Sequence, residues 1–442
     1  MVLRAAQPAE CGVDAGVDAG VLGGQALLAI TAADVRIANA EWGTAPDLVQ
    51  IKDFELGVDA LIAIGGEDTL GVATALHDLD VPVVLAPMAG VTNAPFRRLC
   101  RAEGAGLYVS EMITARAYVE GNAKTQRLAH FDDDEPLRSI QLYGIDAFHV
   151  GEAVRRLVDS DHVDHIDLNF GCPAPKVTKN GGGSALPVRK RLLRDIIAAA
   201  VAGAGDVPIT AKFRMGVDDD HPLTYLDTGR IAEDEGCAMI ALHARTAEQL
   251  YSGDARWEAI GRLKEHVTSI PVLGNGDIWE ATDAVAMMAA TGCDGVVVGR
   301  GCLGRPWLFR DLVAAFDGRE IPPPPTLGEV CDTMLRHIDL LQAWAGEWLG
   351  VREFRKHTGW YLKGYPVGSE LRRELNQLQS RDQLAESLGR LDRSLTMTPE
   401  GPRAKRGHQN GPRAVSLPEH WFELADSDEA LDAAAESISS GG

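Results

Sequence analysis

The chain is 442 residues long, 45% hydrophobic, and carries a formal charge of −21 at pH 7; that length suits one large barrel with additions, or two to three domains. No apolar run reaches the roughly 18 residues of a membrane helix, and Met1-Val2-Leu3-Arg4 leads into Ala, Gly and Asp, so neither a spanning helix nor a secretory leader is expected. Seven cysteines, dispersed and without a CxxC or Cys/His cluster, indicate a reducing cytoplasm and no metal.

The net charge argues against a nucleic-acid partner, because phosphates call for Lys and Arg, but the distribution of that charge points the other way. Residues 1–80 hold three basic against thirteen acidic residues, and residues 407–442 hold one against seven. Residues 351–376 carry the opposite bias, with Arg352, Arg355, Lys356, Lys363, Arg372 and Arg373 against three glutamates.

Residues 1–56 show little periodicity and predict weak order. The run from Gly57 to Leu70, with Gly65-Gly66-Glu67-Asp68-Thr69 at its centre, reads as strand, glycine turn and helix start. It resembles the phosphate-site strand of a phosphofructokinase, but the likeness stops near Val84 and the neighbouring βαβ units are missing. Residues 1–80 are therefore expected to be an extension bearing a fragment, not a second enzyme.

From Val81 to about Phe309, short β-rich runs alternate with amphipathic stretches. The expected strands are Pro82–Pro87, Gly106–Met112, Arg138–Tyr143, His165–Phe170, Pro208–Arg214, Met239–Ala244, Pro271–Gly274 and Gly295–Val298. Eight βα units in about 230 residues predict an α/β fold of the TIM (β/α)8 barrel type over 81–320. Such barrels carry their sites at the C-terminal strand ends. Pro87/Met88, Glu111/Met112, Gln141, Asn169/Cys172, Lys212/Arg214, His243/Arg245, Asn275/Asp277 and Gly299/Arg300 stand there, too polar a set for packing alone.

Cys172 follows a buried strand and sits in Gly171-Cys172-Pro173-Ala174-Pro175, where glycine and the two prolines stop regular structure. A lone thiol is often just a small buried hydrophobe; at a strand end facing this set it reads as a catalytic group. Lys176, Lys179 and His165 are candidates to tune it. The glycine-rich turns Gly274-Asn275-Gly276-Asp277 and Gly299-Arg300-Gly301 offer backbone N–H groups where barrels bind phosphate.

Together these motifs resemble the tRNA-dihydrouridine synthase family, bacterial type. The likeness runs from Ala86-Pro87-Met88-Ala89-Gly90 through Asn169-Phe170-Gly171-Cys172-Pro173, Lys212-Phe213-Arg214 and His243-Ala244-Arg245-Thr246 to Phe354-Arg355-Lys356-His357. The resemblance implies FMN at the barrel mouth, reduced by NADPH, and reduction of the uracil C5–C6 bond in tRNA with Cys172 as proton donor. It implies that Pro87, Met88 and Ala89 support the flavin, that Gln141 and Lys212 bond its ring, and that His243, Asn275, Gly276, Asp277, Gly299 and Arg300 hold its ribityl and phosphate. Asn169, Lys176, Arg214, Arg355, Lys356 and Lys363 are the expected substrate-binding residues, and the enzyme is expected to be a monomer.

Pro322-Pro323-Pro324-Pro325 is a stiff spacer. Beyond it, Gly328–Trp344, Glu347–Lys363 and Ser369–Arg390 read as helices of a small tRNA-binding domain over 326–392. Trp360 is expected in its core. The acidic, Pro-, Ser- and Ala-rich residues 393–442 predict disorder. An FMN barrel acting on a free pyrimidine, like dihydroorotate dehydrogenases, is the competing reading; the basic helical domain distinguishes the two.

Overall fold

The computed structural model describes residues 82–425 except 105, 161 and 408–410, together with Ser427, Leu431 and two short strands near the N-terminus. The phosphofructokinase-like stretch lies, up to Val81, outside the described residues. The chain divides into two units, 1–70 and 71–442. In the first, β1 (Leu28–Thr31) and β2 (Asp34–Ile37) pair antiparallel, with Leu28 opposite Ile37.

In the second, eight strands close a parallel barrel in the order β10-β3-β4-β5-β6-β7-β8-β9. They are β3 (Val83–Leu85), β4 (Leu107–Thr114), β5 (Ser139–Tyr143), β6 (His165–Phe170), β7 (Ile209–Arg214), β8 (Met239–His243), β9 (Val272–Asn275) and β10 (Gly295–Val298). Each coincides with an expected strand. Only β4 clearly outruns its expected end, and its register against β5 shifts between Val109 and Met112. That irregularity turns Glu111 so that its Oε2 accepts the Gly90 N–H at 2.8 Å, which holds the turn after β3.

The period-two alternation of each strand sorts its residues between two environments. Outward residues such as Leu85, Ile140, Ile166, Phe213, Leu242 and Val298 pack against the helical ring. Inward, Val84, Leu107, Val109, Met239, Leu273 and Val297 form an apolar floor. Above the floor β6 and β7 point polar groups into the barrel: Asp167 and Asn169 from one, Thr210 and Lys212 from the other.

After the proline spacer the helix Leu327–Ala345 begins in a capping box, Thr326 with Glu329. It pairs with the helix Glu347–Tyr361. Gly350 lets the two approach, since a Cβ there would lie 2.6 Å from Gln342 N. The last expected helix is two helices, Ser369–Leu375 and Arg381–Gly389. Ser380 caps the second, accepting from Gln383 N at 3.1 Å, and the break exposes the Leu378 carbonyl to Arg355 at 2.7 Å.

The helical layer packs on the barrel. Phe96 lies 5.8 Å from the His357 ring, and Gly304 (φ +64°) sits so close to Trp360 that a Cβ would lie 2.3 Å from its carbonyl carbon.

Disorder does not fit the described residues of 393–425. Leu327 N and Gly328 N donate to Leu395 O and Arg393 O at 2.7 and 2.9 Å, and Trp421 is buried against Ala185 and Val188. Low overall hydrophobicity misleads here because a few aromatic anchors suffice to hold an extended segment against a finished surface.

Candidate active site

A cleft of about 690 Å³ opens at the C-terminal strand ends. Pro87, Met88, Ala89, Gln141, Lys212, His243, Asn275, Gly276, Asp277, Gly299 and Arg300 all line it, and so do Asn169, Cys172, Arg214 and Lys356. Lys176, Arg355 and Lys363 do not.

A string of hydrogen bonds climbs through the barrel to this cleft. Thr210 Oγ1 donates to Asp167 Oδ1 at 2.6 Å, so it can only accept from His165 Nε2 at 3.0 Å. The His165 proton is therefore on Nε2, and Nδ1 accepts from Ser139 Oγ at 2.7 Å. On the other side Gln141 Nε2 donates to Asp167 Oδ2 at 2.7 Å, and Asn169 Nδ2 donates to Gln141 Oε1 at 2.8 Å. Asn169 Oδ1 then accepts the N–H groups of Gly171 and Cys172 at 3.0 and 2.9 Å. Burial pushes the Asp167 carboxyl up, with Thr210, Gln141 and the Lys212 charge pulling it back. Burial holds His165 down to about 3, so it is neutral at neutral pH.

His165 thus reaches Cys172 only through this string and is not a direct neighbour. The groups that act on the Cys172 thiol are different. Burial raises its pKa, while the Ala174 N–H, Arg214 and Lys176 lower it. The thiol therefore stays protonated at neutral pH.

Arg214 clamps the loop: Nε donates to Gly171 O at 3.0 Å, and Nη1 to Thr246 O and Leu250 O at 2.9 and 2.8 Å. These bonds to backbone hold Arg214 in the wall of the cleft. On the far side, Ser184 N donates to Cys172 O at 3.1 Å. Gly183 (φ +54°) allows this close approach.

The opposite corner is cationic. Lys212 Nζ donates to Asn275 Oδ1 at 3.1 Å, and burial lowers its pKa to about 8, helped by Arg214. Arg300 lies over the Tyr251 ring at 4.4 Å. Burial first, then Arg245, lowers its pKa to about 10, so it remains charged. His243 is held well below its usual value by burial and then by the surrounding cations.

Asp277 braces this corner. Its Oδ2 accepts from Arg245 Nη2 at 2.6 Å and from Ala255 N at 2.7 Å, and its Oδ1 from Arg300 Nη2 at 3.3 Å. The sequence marks Arg245 only as a strand-end residue. It is nearly fully buried, and its Nη1 has no partner among the described residues. That orphaned donor lies beside Gly276, whose missing Cβ would be 3.7 Å away. A buried guanidinium edge without a partner next to glycine backbone fits the phosphate of a bound nucleotide cofactor.

The helical layer contributes Lys356, whose Nζ is paired with Glu353, and Trp360, which lines the cleft; Tyr361 is the core residue instead. Arg355 is spent on the Leu378 carbonyl, and Lys363 on the Lys405 carbonyl. Gly407, Arg413, Ala414 and Val415 also line the cleft, from a segment whose composition predicts disorder.

A parallel barrel whose cleft holds a half-buried cysteine, a cationic corner and a helical wall suits the class of nucleotide-cofactor oxidoreductases. The chain belongs to the dihydrouridine synthase (Dus) family, whose family model matches residues 84–395. It is 54% identical over 375 residues to a protein of Mycobacterium tuberculosis named "Probable tRNA-dihydrouridine synthase", covering 83% of this chain and 95% of that one. A Mycobacterium leprae protein of the same name is 51% identical over 388 residues, 81% of this chain and 100% of the relative. A Pseudomonas putida protein named tRNA-dihydrouridine synthase B is 42% identical over 298 residues, 67% of this chain and 87% of the relative.

Proposed function

We propose that this protein is a cytoplasmic, FMN-dependent tRNA-dihydrouridine synthase that uses NADPH as reductant. Family membership and a cleft shared by the protonated Cys172 thiol and the charged Arg300, with the orphaned Arg245 edge buried behind it, support the reading. The chemistry supplied by bound FMN is hydride delivery to uracil C6.

The chain's own residues do the rest. Arg300, Arg245 Nη1 and the Gly276 and Gly299 backbones hold phosphate, while Asp277 keeps the two guanidinium groups in place. Gln141 and Lys212 offer donors to a polar heteroaromatic ring, each already oriented by a hydrogen bond of its own. The Cys172 thiol, kept protonated by burial, is the general acid for uracil C5. The loop carrying it is fixed from three sides by Asn169, Arg214 and Ser184. Lys356 and Trp360 bring the helical wall to the mouth, a feature that a free pyrimidine would not need.

The test combines purified protein, NADPH and unmodified tRNA transcript, with dihydrouridine measured by mass spectrometry. Product should form with wild type and vanish with Cys172→Ala while bound flavin is still reduced. Full product from Cys172→Ala, or none from flavin-loaded wild type, would reject the assignment.

A further inference from the structure

The family match ends at residue 395, yet Gly407 and residues 413–415 stand in the wall of the cleft. Arg406 holds the start of this segment. Its buried guanidinium donates to Ala404 O at 2.9 Å and to Lys363 O at 3.0 Å. Gly407 then lies against the Arg300 side chain, where a Cβ would be 3.4 Å from it. Further on, Arg413 N donates to Glu248 O at 2.9 Å, fixing the backbone on the barrel rim.

The segment ends in an aromatic anchor. Trp421 is 2% exposed, its Nε1 donates to Ala185 O at 2.9 Å, and the Arg189 guanidinium lies 5.5 Å from its ring. Gly181 leaves the socket, since a Cβ there would come within 2.5 Å of the indole. Phe422 stacks on His221 at 3.6 Å, with the rings 2° from parallel. The anchored loop is the one whose Ser184 holds the Cys172 carbonyl.

We infer that residues 411–425 are a C-terminal strap forming one wall of the RNA-binding mouth, and that Arg413 contacts a phosphate of the incoming RNA. This rests on the tRNA reading above. Arg413 is exposed on the cleft wall, and among the described residues its guanidinium has no hydrogen-bond or ion-pair partner. The other cations lining the cleft are already engaged: Lys356 with Glu353, Arg300 with Asp277, Lys212 with Asn275 and Arg214 with main-chain carbonyls. A polyanion that inserts one base into the cleft must bring neighbouring phosphates to its rim, and a fork-shaped guanidinium matches a phosphate there. The Trp421 socket ties that rim contact to the loop that carries the proton donor.

Arg413→Ala, Arg413→Lys and Trp421→Ala, each flavin-loaded, would be assayed for dihydrouridine formation on tRNA transcripts at several salt concentrations. Arg413→Ala should raise the KM for tRNA by about 3- to 10-fold and reduce the log–log salt slope by about one. Arg413→Lys should recover much of that loss, because the charge remains. Trp421→Ala releases the strap without touching Arg413 and should raise the same KM. An unchanged KM and salt slope in Arg413→Ala overturns the phosphate contact. A raised KM for NADPH with that for tRNA unchanged overturns it too, assigning Arg413 to the nicotinamide nucleotide. A normal tRNA KM in Trp421→Ala overturns the strap. Wild-type enzyme without product would instead reject the tRNA reading itself, a distinguishable result.

Discussion

Asp167 Oδ2 accepts the Gln141 Nε2–H at 2.7 Å, and this contact decides which end of the Gln141 amide faces the cleft. A carboxylate only accepts, so the amide nitrogen must turn toward it and the oxygen is left for Asn169. Asp167→Asn offers a donor as well as an acceptor and makes both orientations available. The variant should bind FMN about tenfold more weakly, the loss of roughly one oriented hydrogen bond. Flavin fluorescence titration of the apoprotein checks this, alongside a melt to separate folding from binding. An unaltered flavin affinity and absorption spectrum would mean that Gln141 is held by something else.

The Cys172 thiol should be slow to alkylate. Burial raises its pKa, with the Ala174 N–H, Arg214 and Lys176 as weaker opposing influences, so the thiolate is scarce through pH 8. Peptide mapping after iodoacetamide treatment at stepped pH should place the rise in modification above the range of free thiols. Removing the Lys176 charge in Lys176→Ala should move it higher still. A reactive thiolate at pH 7 would contradict its role as a proton donor.

Gly183→Ala should damage the site more than the fold. The left-handed backbone costs an L-residue about 1–2 kcal/mol, and the new methyl would lie 2.5 Å from the Cys172 carbonyl oxygen. The loop must shift to admit it, and Cys172 moves with it. We expect a drop of a few degrees in Tm by calorimetry, with product formation reduced at least about tenfold.

His337 makes stability pH-dependent in a defined window. Burial, and then the Lys356 charge, hold its pKa down to about 3, whereas an unfolded histidine titrates near 6.5. The folded state therefore binds fewer protons in between. The contribution is full above about pH 6.5 and is lost as pH falls toward 3, at up to about 1.4 kcal/mol per pH unit. His337→Gln removes this titration, so unfolding free energy measured in urea should depend less steeply on pH between 7 and 5. The raised carboxyls of Asp167 and Glu111 act oppositely in both proteins and cancel from the difference.

The barrel is readable from sequence because glycine or proline flanks most strands, and polar residues stand at or just past most of their C-terminal ends. The residues expected around FMN do share one cleft, from Pro87 to Arg300. Their division of labour is not readable. Arg214 and Arg355 look like substrate cations, yet both bond main-chain carbonyls that only the tertiary fold presents. Arg245 is visible as a strand-end cation, but its orphaned edge depends on the Asp277 brace. The strap escapes notice because its composition resembles a disordered tail. The one signal in it is the pair Trp421-Phe422, too large and apolar to leave in water.

Apolar side chains fill the lower end of the barrel, with Val84, Leu107, Met239 and Val297 among them. Among the described residues the barrel is therefore a cup, closed at its base and open at the strand ends. On the reading proposed above, reductant and RNA both approach the site through that one open end. A substituted-enzyme scheme is the kinetic form expected of such a cup, with parallel initial-rate lines when both substrates are varied.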